Sequence, residues 1–270
     1  MNKRHVYIIS DSTGITAQTL AQSIVSQFED IKFQTTVIPY VDSIEKAQQT
    51  VERINSNCHD GERPIIFDTV IAPNLSEILS GAQGMRFDVL NMYLAPLQVE
   101  LGQKSTLTVG KAHGRAQDAN YKHRIDAVHF AMENDDGAKT RYYDKADVIL
   151  IGVSRCGKTP TCLYLALQFG IYAANYPITE EDIEDLSLPK VLKEHKHKLF
   201  GLTIAPDRLS LIRNERRANS KYASLRQCQN EVREVEGIFR RHGIDFINTT
   251  DSSIEEIAAT MLDKSGLHRS

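Results

Sequence analysis

Eight consecutive residues in the second half of the chain have the types and spacing of a phosphate-binding loop. The pattern is G-x-x-x-x-G-K-[ST], and the residues are Gly152, Val153, Ser154, Arg155, Cys156, Gly157, Lys158 and Thr159. The two glycines permit a sharp turn and let backbone N–H groups approach an anion closely. Lys158 would bring a positive charge to the terminal phosphates, and the Thr159 hydroxyl would hold Mg²⁺. The motif therefore predicts a bound nucleotide.

The stretches on either side of this loop predict the elements that it needs. The apolar run Val148–Ile151 predicts a buried strand, and Thr161–Phe169 predicts a helix. Pro160 fits a first helical turn, where a missing N–H costs little. The helix dipole would add to the attraction for phosphate. The motif leaves open whether the chain hydrolyses the nucleotide, transfers a phosphoryl group or only senses the nucleotide.

A second strand–loop–helix pattern opens the chain. His5–Ile9 predicts a strand, and the hydroxyl-rich loop Ser10–Gly14 leads into a helical pattern. Hydroxyl and N–H groups at a helix start can bind an anion, but Ser12 or Thr13 could equally cap the helix. Asp11 would repel a phosphate unless Mg²⁺ or a proton intervened, so it suggests acid–base or metal chemistry.

Strands alternate with helices along most of the chain, which predicts an α/β fold with mainly parallel sheets. The further predicted strands are Phe33–Val41, Pro64–Ile71, Ala173–Pro177, Leu199–Ile204 and Ile244–Asn248. The further predicted helices include Ile44–Ile54, Leu75–Leu79, Phe87–Leu101 with a break or kink at Pro96, Tyr121–Met132, Val232–Phe239 and Ile254–Leu262. We expect a Rossmann-like amino-terminal domain over 1–104 and a P-loop kinase-like domain over 145–270. A loop and helix over 105–144 would connect them and pack between or across the two halves.

Several charged residues are candidates for chemistry, each beside a plainer interpretation. Asp68 would lie at the carboxyl end of a strand, where ligands bind in parallel sheets, but a solvated strand end is the simpler expectation. The pair Asp135-Asp136 before a glycine could hold Mg²⁺ or accept a hydroxyl proton, or could form only a turn. Arg155 could stabilise charge on a transferring phosphoryl group or pair with an acid in its own loop. His113 alone is typical of a surface or capping histidine.

Two further groups of residues remain open in the same way. Four arginines, at positions 213, 216, 217 and 226, could line a phosphoryl-transfer site or a lid, or could form a solvated helix face. Cys156 at a helix start could have a lowered pKa and a redox role, but a small core-filling side chain is the favoured interpretation.

Composition argues against several classes of protein. The chain has 270 residues, of which 41% are hydrophobic and 25% charged, so a sizeable core can form. Its net charge of −3 provides no basic field for nucleic acid. No apolar run reaches the roughly 18–20 residues that span a membrane, and no export signal is recognisable. We therefore expect a cytoplasmic protein with reduced cysteines, with no nucleic-acid or membrane partner. A homo-oligomer is possible.

Several separate motifs, in order, resemble those of the bacterial phosphoenolpyruvate synthetase (synthase) regulatory proteins, in the pyruvate, phosphate/water dikinase regulatory protein family. The resemblance covers nearly the whole chain. It is carried by Ser10–Ala17, the turn Asp135–Gly137, Gly152–Pro177, His197–Leu209 and Asn219–Cys228. Related regulators of pyruvate, phosphate dikinase tend to have serine at the position of Gly157, so this glycine favours the synthetase branch.

The resemblance implies a bifunctional enzyme. Members of this family inactivate their target by phosphorylating a threonine near its catalytic histidine, with ADP as the donor and AMP as a product. They reactivate it with inorganic phosphate and release pyrophosphate. The implied partner is phosphoenolpyruvate synthetase, the implied small substrates are ADP and inorganic phosphate, and Mg²⁺ is the expected metal.

A mechanism can be written for the residues that match. Gly152–Thr159 would hold the ADP phosphates, and Lys158 would neutralise charge on the transferring group. Asp11 or Asp136 would orient the threonine hydroxyl, and Arg155 could act on the developing charge. Two alternatives stay open. The end of the chain, Ile244–Ala258, also resembles nucleoside-monophosphate-type kinases, which indicates a small-molecule kinase, and a nucleotide sensor without catalysis would need the same loop.

Overall fold

The computed structural model describes residues 3–58, 63–108, 117–183, 187–218 and 220–267. The chain divides into two compact units, Met1–Gly114 and Arg115–Ser270. Each unit contains a four-stranded sheet whose neighbouring strands all pair in parallel. The predicted α/β class is confirmed.

The first unit alternates strands and helices. Its strands are β1 (Lys3–Ile9), β2 (Lys32–Ile38), β3 (Ile65–Asp68) and β4 (Met85–Asp88), in the order β2-β1-β3-β4. Its helices are α1 (Ile15–Val25), α2 (Ile44–Ser56), α3 (Pro73–Leu79) and α4 (Val89–Leu101). Successive side chains of a strand point to opposite faces, and both faces of β1 are covered. Val6 and Ile8 pack into one apolar cluster, whereas Tyr7 and Ile9 pack into another.

The segment predicted as one helix from Phe87 to Leu101 is instead a strand followed by a helix. Phe87 and Asp88 end β4, and the Asp88 side chain then caps α4 by accepting a hydrogen bond from the Asn91 N–H at 3.1 Å. No turn residue separates β4 from the apolar run of α4, which starts at the next residue, so the sequence did not indicate where the strand ends. Pro96 lies inside α4 and does not end it.

The second unit is larger. Its strands are β5 (Val148–Gly152), β6 (Ala173–Pro177), β7 (Leu199–Thr203) and β8 (Phe246–Asn248), in the order β6-β5-β7-β8. Its helices are α5 (Gln117–Glu133), α6 (Lys158–Phe169), α7 (Glu180–Ile183), α8 (Lys190–Lys193), α9 (Pro206–Arg216), α10 (Leu225–His242) and α11 (Ile254–Ser265). Every residue of β5 is buried between neighbouring strands, which explains its continuous apolar run.

Helix α5 belongs to the second unit, where it packs against α6. Its His123 and Phe130 rings lie 5.4 and 5.2 Å from the ring of Tyr172, which precedes β6. The expected helix is therefore present, and these aromatic contacts tie it to one sheet. His113, named above as a candidate, lies outside the described residues.

The two sheets have the same topology, with the first strand of each unit lying between its second and third strands. In such a sheet, the connections from the two central strands run toward opposite edges. Open α/β sheets bind their ligands at this switch point, beyond the carboxyl ends of the strands. The phosphate loop follows β5, so it leaves the sheet at this position. Among the helices of the described ranges, none is long and apolar enough to cross a membrane.

Candidate phosphoryl-transfer site

The phosphate loop turns sharply between the end of β5 and the start of α6. Arg155 and Gly157 both have left-handed backbone conformations, with φ of 78° and 93°. Gly152 lies so close to the neighbouring strand that a Cβ atom there would be 2.2 Å from the Leu202 carbonyl oxygen. No side chain caps α6, so its first N–H groups remain available to an anion. The predicted strand, loop and helix are all present.

Lys158 is buried against its own loop. Its side chain is only 4% exposed, and Nζ donates hydrogen bonds to the carbonyl oxygens of Gly152 at 3.2 Å and Val153 at 2.9 Å. These carbonyl groups compensate the buried ammonium group in part. A phosphate that enters the loop would offer Nζ a charged hydrogen-bond acceptor. Lys158 could then give up its hydrogen bonds to the backbone carbonyl groups and bind the phosphate instead.

Thr159 is joined to a carboxylate from a distant part of the chain. Its Oγ1 donates to Asp135 Oδ1 at 2.7 Å, and the buried Asn175 amide of β6 donates to the same oxygen at 2.5 Å. The side chains that surround a phosphate-loop threonine are the ones that can complete a cation site, because oxygen ligands suit Mg²⁺. The sequence indicated that the Asp135-Asp136 pair could hold Mg²⁺, but it did not indicate this contact.

Asp136 is held in an uncommon conformation beside the loop. Its φ and ψ are 48° and 33°, and its N–H donates to Asn175 Oδ1 at 3.0 Å. The left-handed region is uncommon for a residue other than glycine, although aspartate tolerates it better than most, and such residues are often found at functional sites. In the described part of the chain its carboxylate has no hydrogen-bond or ion-pair partner, so it is free to act on a ligand.

A cavity of about 240 Å³ opens over the loop. It is lined by Asp136, Ser154, Arg155, Gly157, Lys158, Thr159, Pro160, Ile212 and Arg216. Three of these side chains are cationic and one is a carboxylate, so the cavity favours an anion. Arg155 is exposed at this wall, and within the described ranges it makes none of the ion pairs that the alternative interpretation required.

The arginine-rich segment separates into residues with different roles. Arg213 is fully buried and pairs with Glu231 at 2.7 Å, whereas Arg216 lies at the cavity and Arg217 and Arg226 are exposed elsewhere. Burial by itself would lower the pKa of Arg213, but the hydrogen bonds and charge of Glu231 outweigh burial and raise it. The interpretation as one uniformly solvated face is therefore wrong for Arg213.

Cys156 is an inert part of the core. Its side chain is buried, and this desolvation raises the pKa of the thiol despite the nearby Lys158. A thiol that resists ionisation is a poor nucleophile and a poor redox group. The position thus suits a small side chain between the loop and the sheet.

The candidate residues of the first unit have structural partners there. Asp11 Oδ2 accepts a hydrogen bond from the Ile71 N–H at 3.0 Å, which joins the loops after β1 and β3. Neither Ser12 nor Thr13 caps α1, because the residue before that helix is Gly14 and no side chain bonds to the helix start. The carboxylate of Asp11 thus stabilises the contact between the loops after β1 and β3. Its catalytic role stays a prediction.

Asp68 is not the solvated strand end that we expected. Its side chain is fully buried, and Arg86 donates to it from Nε at 2.8 Å and from Nη2 at 3.1 Å. Desolvation raises the pKa of the carboxyl group, and the guanidinium group opposes that rise. Arg86 lies on the neighbouring strand β4, the strand that the sequence did not indicate.

Known proteins are similar in sequence to this chain over almost its whole length. Residues 6–262 match the family described as kinase/pyrophosphorylase. Relatives from Pseudomonas fluorescens strain Pf-5 and Stutzerimonas stutzeri strain A1501 are each 57% identical over 268 residues, and one from Pseudomonas aeruginosa strain PAO1 is 56% identical. Each match covers 99% of this chain and 98% of the relative, whose name proposes a phosphoenolpyruvate synthase regulatory protein. The chain belongs to the kinase/pyrophosphorylase family.

Proposed function

We propose that this protein regulates phosphoenolpyruvate synthase by two opposing reactions. In one, it phosphorylates a threonine of the synthase with ADP as the donor. In the other, it removes that phosphoryl group with inorganic phosphate and forms pyrophosphate. The family and the names of the relatives support this proposal, and Gly157 favours the synthase rather than the dikinase as the target.

The observation that carries the proposal is the cavity over the phosphate loop. It presents Lys158 and the loop N–H groups to a phosphate and an unpaired carboxylate, Asp136, beside them. A phosphoryl donor and an acceptor hydroxyl would have to meet at such a place. A site that only senses a nucleotide has no need of a free carboxylate beside its phosphates.

Inactivation can be written with these residues. The threonine Oγ attacks the β-phosphorus of ADP, the new O–P bond forms, and the bond from that phosphorus to the bridging oxygen breaks. AMP leaves with the electron pair of the broken bond, and the threonine proton passes to Asp136. Lys158 neutralises charge on the phosphate oxygens, and Arg155, which lines the same cavity, acts on the same charge.

Reactivation uses the same groups in the opposite sense. An oxygen of inorganic phosphate attacks the phosphorus of phosphothreonine, and the bond between that phosphorus and the threonine oxygen breaks. Asp136, protonated at the start of this step, returns a proton to the departing threonine oxygen. Pyrophosphate and the free threonine hydroxyl are the products.

Thr159 and Asp135 would hold Mg²⁺ together with phosphate oxygens and water. Their oxygens lie 2.7 Å apart beside the loop, and oxygen ligands fit this cation. In the described parts of the chain there is no cluster of three or more His, Cys, Asp or Glu side chains that could hold a metal alone. When bound, Mg²⁺ would neutralise charge on the phosphates.

The direct test is phosphoryl transfer to the synthase. The protein is mixed with phosphoenolpyruvate synthase and ADP that carries ³²P in its β-phosphate, with γ-labelled ATP and Lys158→Ala as controls. We expect label on a synthase threonine with ADP and the unmodified protein only. Addition of inorganic phosphate should then move the label into pyrophosphate.

Two other outcomes would point elsewhere. Bound nucleotide with label on a small molecule, and none on the synthase, would indicate a small-molecule kinase. Bound nucleotide with no turnover on any acceptor would indicate a sensor. In that case Lys158→Ala would weaken nucleotide binding, and neither the unmodified protein nor the variant would transfer a phosphoryl group.

A further inference from the structure

Helix α9 brings one cation, Arg216, to the wall of the phosphate cavity. Arg216 lines this cavity together with Ile212 of the same helix. Its side chain is exposed, and among the described residues it has no ion-pair or hydrogen-bond partner. A guanidinium group with free donors beside a phosphate loop is suited to bind phosphate oxygens in a forked geometry.

One turn earlier on α9, Arg213 fastens the helix to the loop. Its Nη2 donates to the carbonyl oxygen of Ser154 at 3.2 Å, and its Nη1 donates to the carbonyl oxygen of Tyr222 at 3.0 Å. Glu231 accepts from both terminal nitrogens, at 3.1 and 2.7 Å. The guanidinium group is fully buried, so these contacts leave it little freedom to move.

Tyr222 contacts both Arg213 and the phosphate loop. Its ring lies under the guanidinium group of Arg213, 4.0 Å from the guanidinium carbon, and its hydroxyl donates to Ser154 Oγ at 3.1 Å. The phosphate loop, α9 and the segment that carries Tyr222 are thus joined through one buried arginine. A network of this kind holds its members in one arrangement.

Residues three apart on a helix lie near one another along it, so anchoring Arg213 also anchors the part of α9 from which the Arg216 side chain extends. Arg217 and Arg226, the other arginines of this segment, are exposed and do not line the cavity. The structure therefore separates one arginine that lines the cavity from one that fastens the helix to the phosphate loop.

We propose that Arg216 is a catalytic residue that contacts the transferring phosphoryl group, and that Arg213 and Glu231 are its positioning residues. This inference rests on the proposed phosphoryl transfer. The group that Arg216 recognises is a phosphate oxygen of the donor or of inorganic phosphate. It supplies positive charge from α9, in addition to the charge that Lys158 supplies from the loop.

The first test compares Arg216→Gln with Arg216→Lys and the control Arg226→Gln. In Arg216→Gln we expect kcat for threonine phosphorylation to fall about 100-fold or more, because an arginine on a transferring phosphoryl group contributes at least that much. Arg216→Lys should recover part of the loss, since it keeps the charge and loses the fork. Arg226→Gln should match the unmodified protein, and a kcat within about twofold of it for Arg216→Gln would overturn the proposal.

The second test concerns the positioning residues and uses Glu231→Gln, which keeps the shape of the side chain. We expect it to lower kcat with little change in the KM for ADP. In the Arg216→Gln background it should cause no further loss, because its effect would pass through Arg216. A loss of equal size in both backgrounds would assign Glu231 to general stability and overturn its positioning role.

A binding measurement separates this inference from the proposed function. Inorganic pyrophosphate, as a probe with two phosphoryl groups, is titrated into each variant by calorimetry. Arg216→Gln should weaken its binding about tenfold, the expected effect of one charged hydrogen-bonding group, and Arg226→Gln should not. This result would stand even if the synthase were never phosphorylated. Unchanged pyrophosphate affinity in Arg216→Gln would exclude contact between Arg216 and phosphate.

Discussion

Lys158 and Thr159, the two loop residues best suited to handle phosphate, both have partners within the protein. Lys158 bonds to two carbonyl oxygens of its loop, and Thr159 bonds to Asp135. Asp136 next to this pair has no partner for its carboxylate within the described residues. The functional difference between the two adjacent aspartates is therefore a difference in contacts. Asp135 accepts a hydrogen bond from the loop threonine, and the Asp136 carboxylate is unpaired among the described residues, as the proposed reaction requires.

This difference predicts the effect of Asp136→Asn. The change removes a proton acceptor while keeping the size of the side chain, so kcat for threonine phosphorylation should fall about 100-fold or more, the usual contribution of a general base. ADP binding, measured by calorimetry, should stay nearly constant. Asp263→Asn, at an exposed position on α11, is the matched control. An unchanged kcat in Asp136→Asn would transfer the role to another group, with Asp11 as the remaining candidate.

Arg86→Met should destabilise the first unit strongly. It would leave the buried carboxylate of Asp68 without its partner, which typically costs about 3–5 kcal/mol. Burial already raises the pKa of Asp68, and loss of the arginine would raise it further. A carboxyl group with a raised pKa in the folded state binds a proton more tightly there than in the unfolded chain. Stability is therefore lost as pH rises and regained as pH falls.

Urea unfolding at neutral and at mildly acidic pH checks this prediction. The deficit of Arg86→Met relative to the unmodified protein should shrink at the lower pH. The double variant Asp68→Asn with Arg86→Met has no carboxyl group at position 68 and keeps only the nearby, partly exposed Asp88, which lies 3.6 Å from Arg86 in the unmodified protein. Its deficit should therefore depend on pH much less. Equal deficits for Arg86→Met at both pH values would show that Asp68 is not the group responsible.

At the scale of elements, the site depends on how closely β5, β7 and the phosphate loop approach one another. Gly152 ends β5 at the point where the backbone of β7 comes nearest. The turn that contains Asp135 and Asp136 is fixed to β6 through Asn175. The loop and the two aspartates are therefore positioned by neighbouring strands of one sheet.

This packing predicts opposite effects for two glycine-to-alanine changes. In Gly152→Ala, the new methyl group would meet Leu202 O at 2.2 Å and Cys156 Sγ at 2.9 Å. Overpacking of this kind costs about 1–3 kcal/mol or more in the free energy of unfolding. At Gly237, in the interior of α10, an added methyl group would have no atom within 4 Å, so replacement by alanine should stabilise the protein by about 0.5–1 kcal/mol.

Thermal and urea unfolding of both variants provide the measurement. A destabilised Gly152→Ala beside a stabilised Gly237→Ala would support the close approach of β7 to the loop. If both changes stabilised the protein equally, β5 and β7 would have to be farther apart at the loop than they are here.

At the scale of the whole molecule, each unit has its own apolar core. The buried side chains of the first unit form two clusters, one on each face of its sheet, and those of the second unit form a cluster of their own. The described residues that line the phosphate cavity all belong to the second unit. Stabilisation by nucleotide should therefore act on the second unit.

Separate cores predict two unfolding transitions in a calorimetric scan. ADP at 100 times its Kd should stabilise the unit that binds it by about 2.7 kcal/mol, and so raise one transition temperature. Arg86→Met should lower the other. A single transition that responded both to ADP and to Arg86→Met would show that the two units unfold together.

The sequence alone was sufficient for the phosphate loop and for the class of fold. The loop's chemistry lies in eight consecutive residues, and the strands and helices around it have local hydrophobic patterns. Lys158, Thr159 and the strand–loop–helix arrangement could therefore be identified without coordinates. The resemblance to a family rested on similar stretches of consecutive residues.

Only the tertiary structure decided which distant side chains meet. Thr159 and Asp135 are 24 residues apart in the sequence, and Arg213 and Glu231 are 18 apart. No local pattern of residues predicts contacts over such separations. Asp68 and Arg86 meet because β3 and β4 are neighbours, and β4 runs into α4 with no turn residue that would mark it as a separate strand. Parallel sheets join segments through long crossovers, so the contacts that orient this site depend on packing rather than on local sequence.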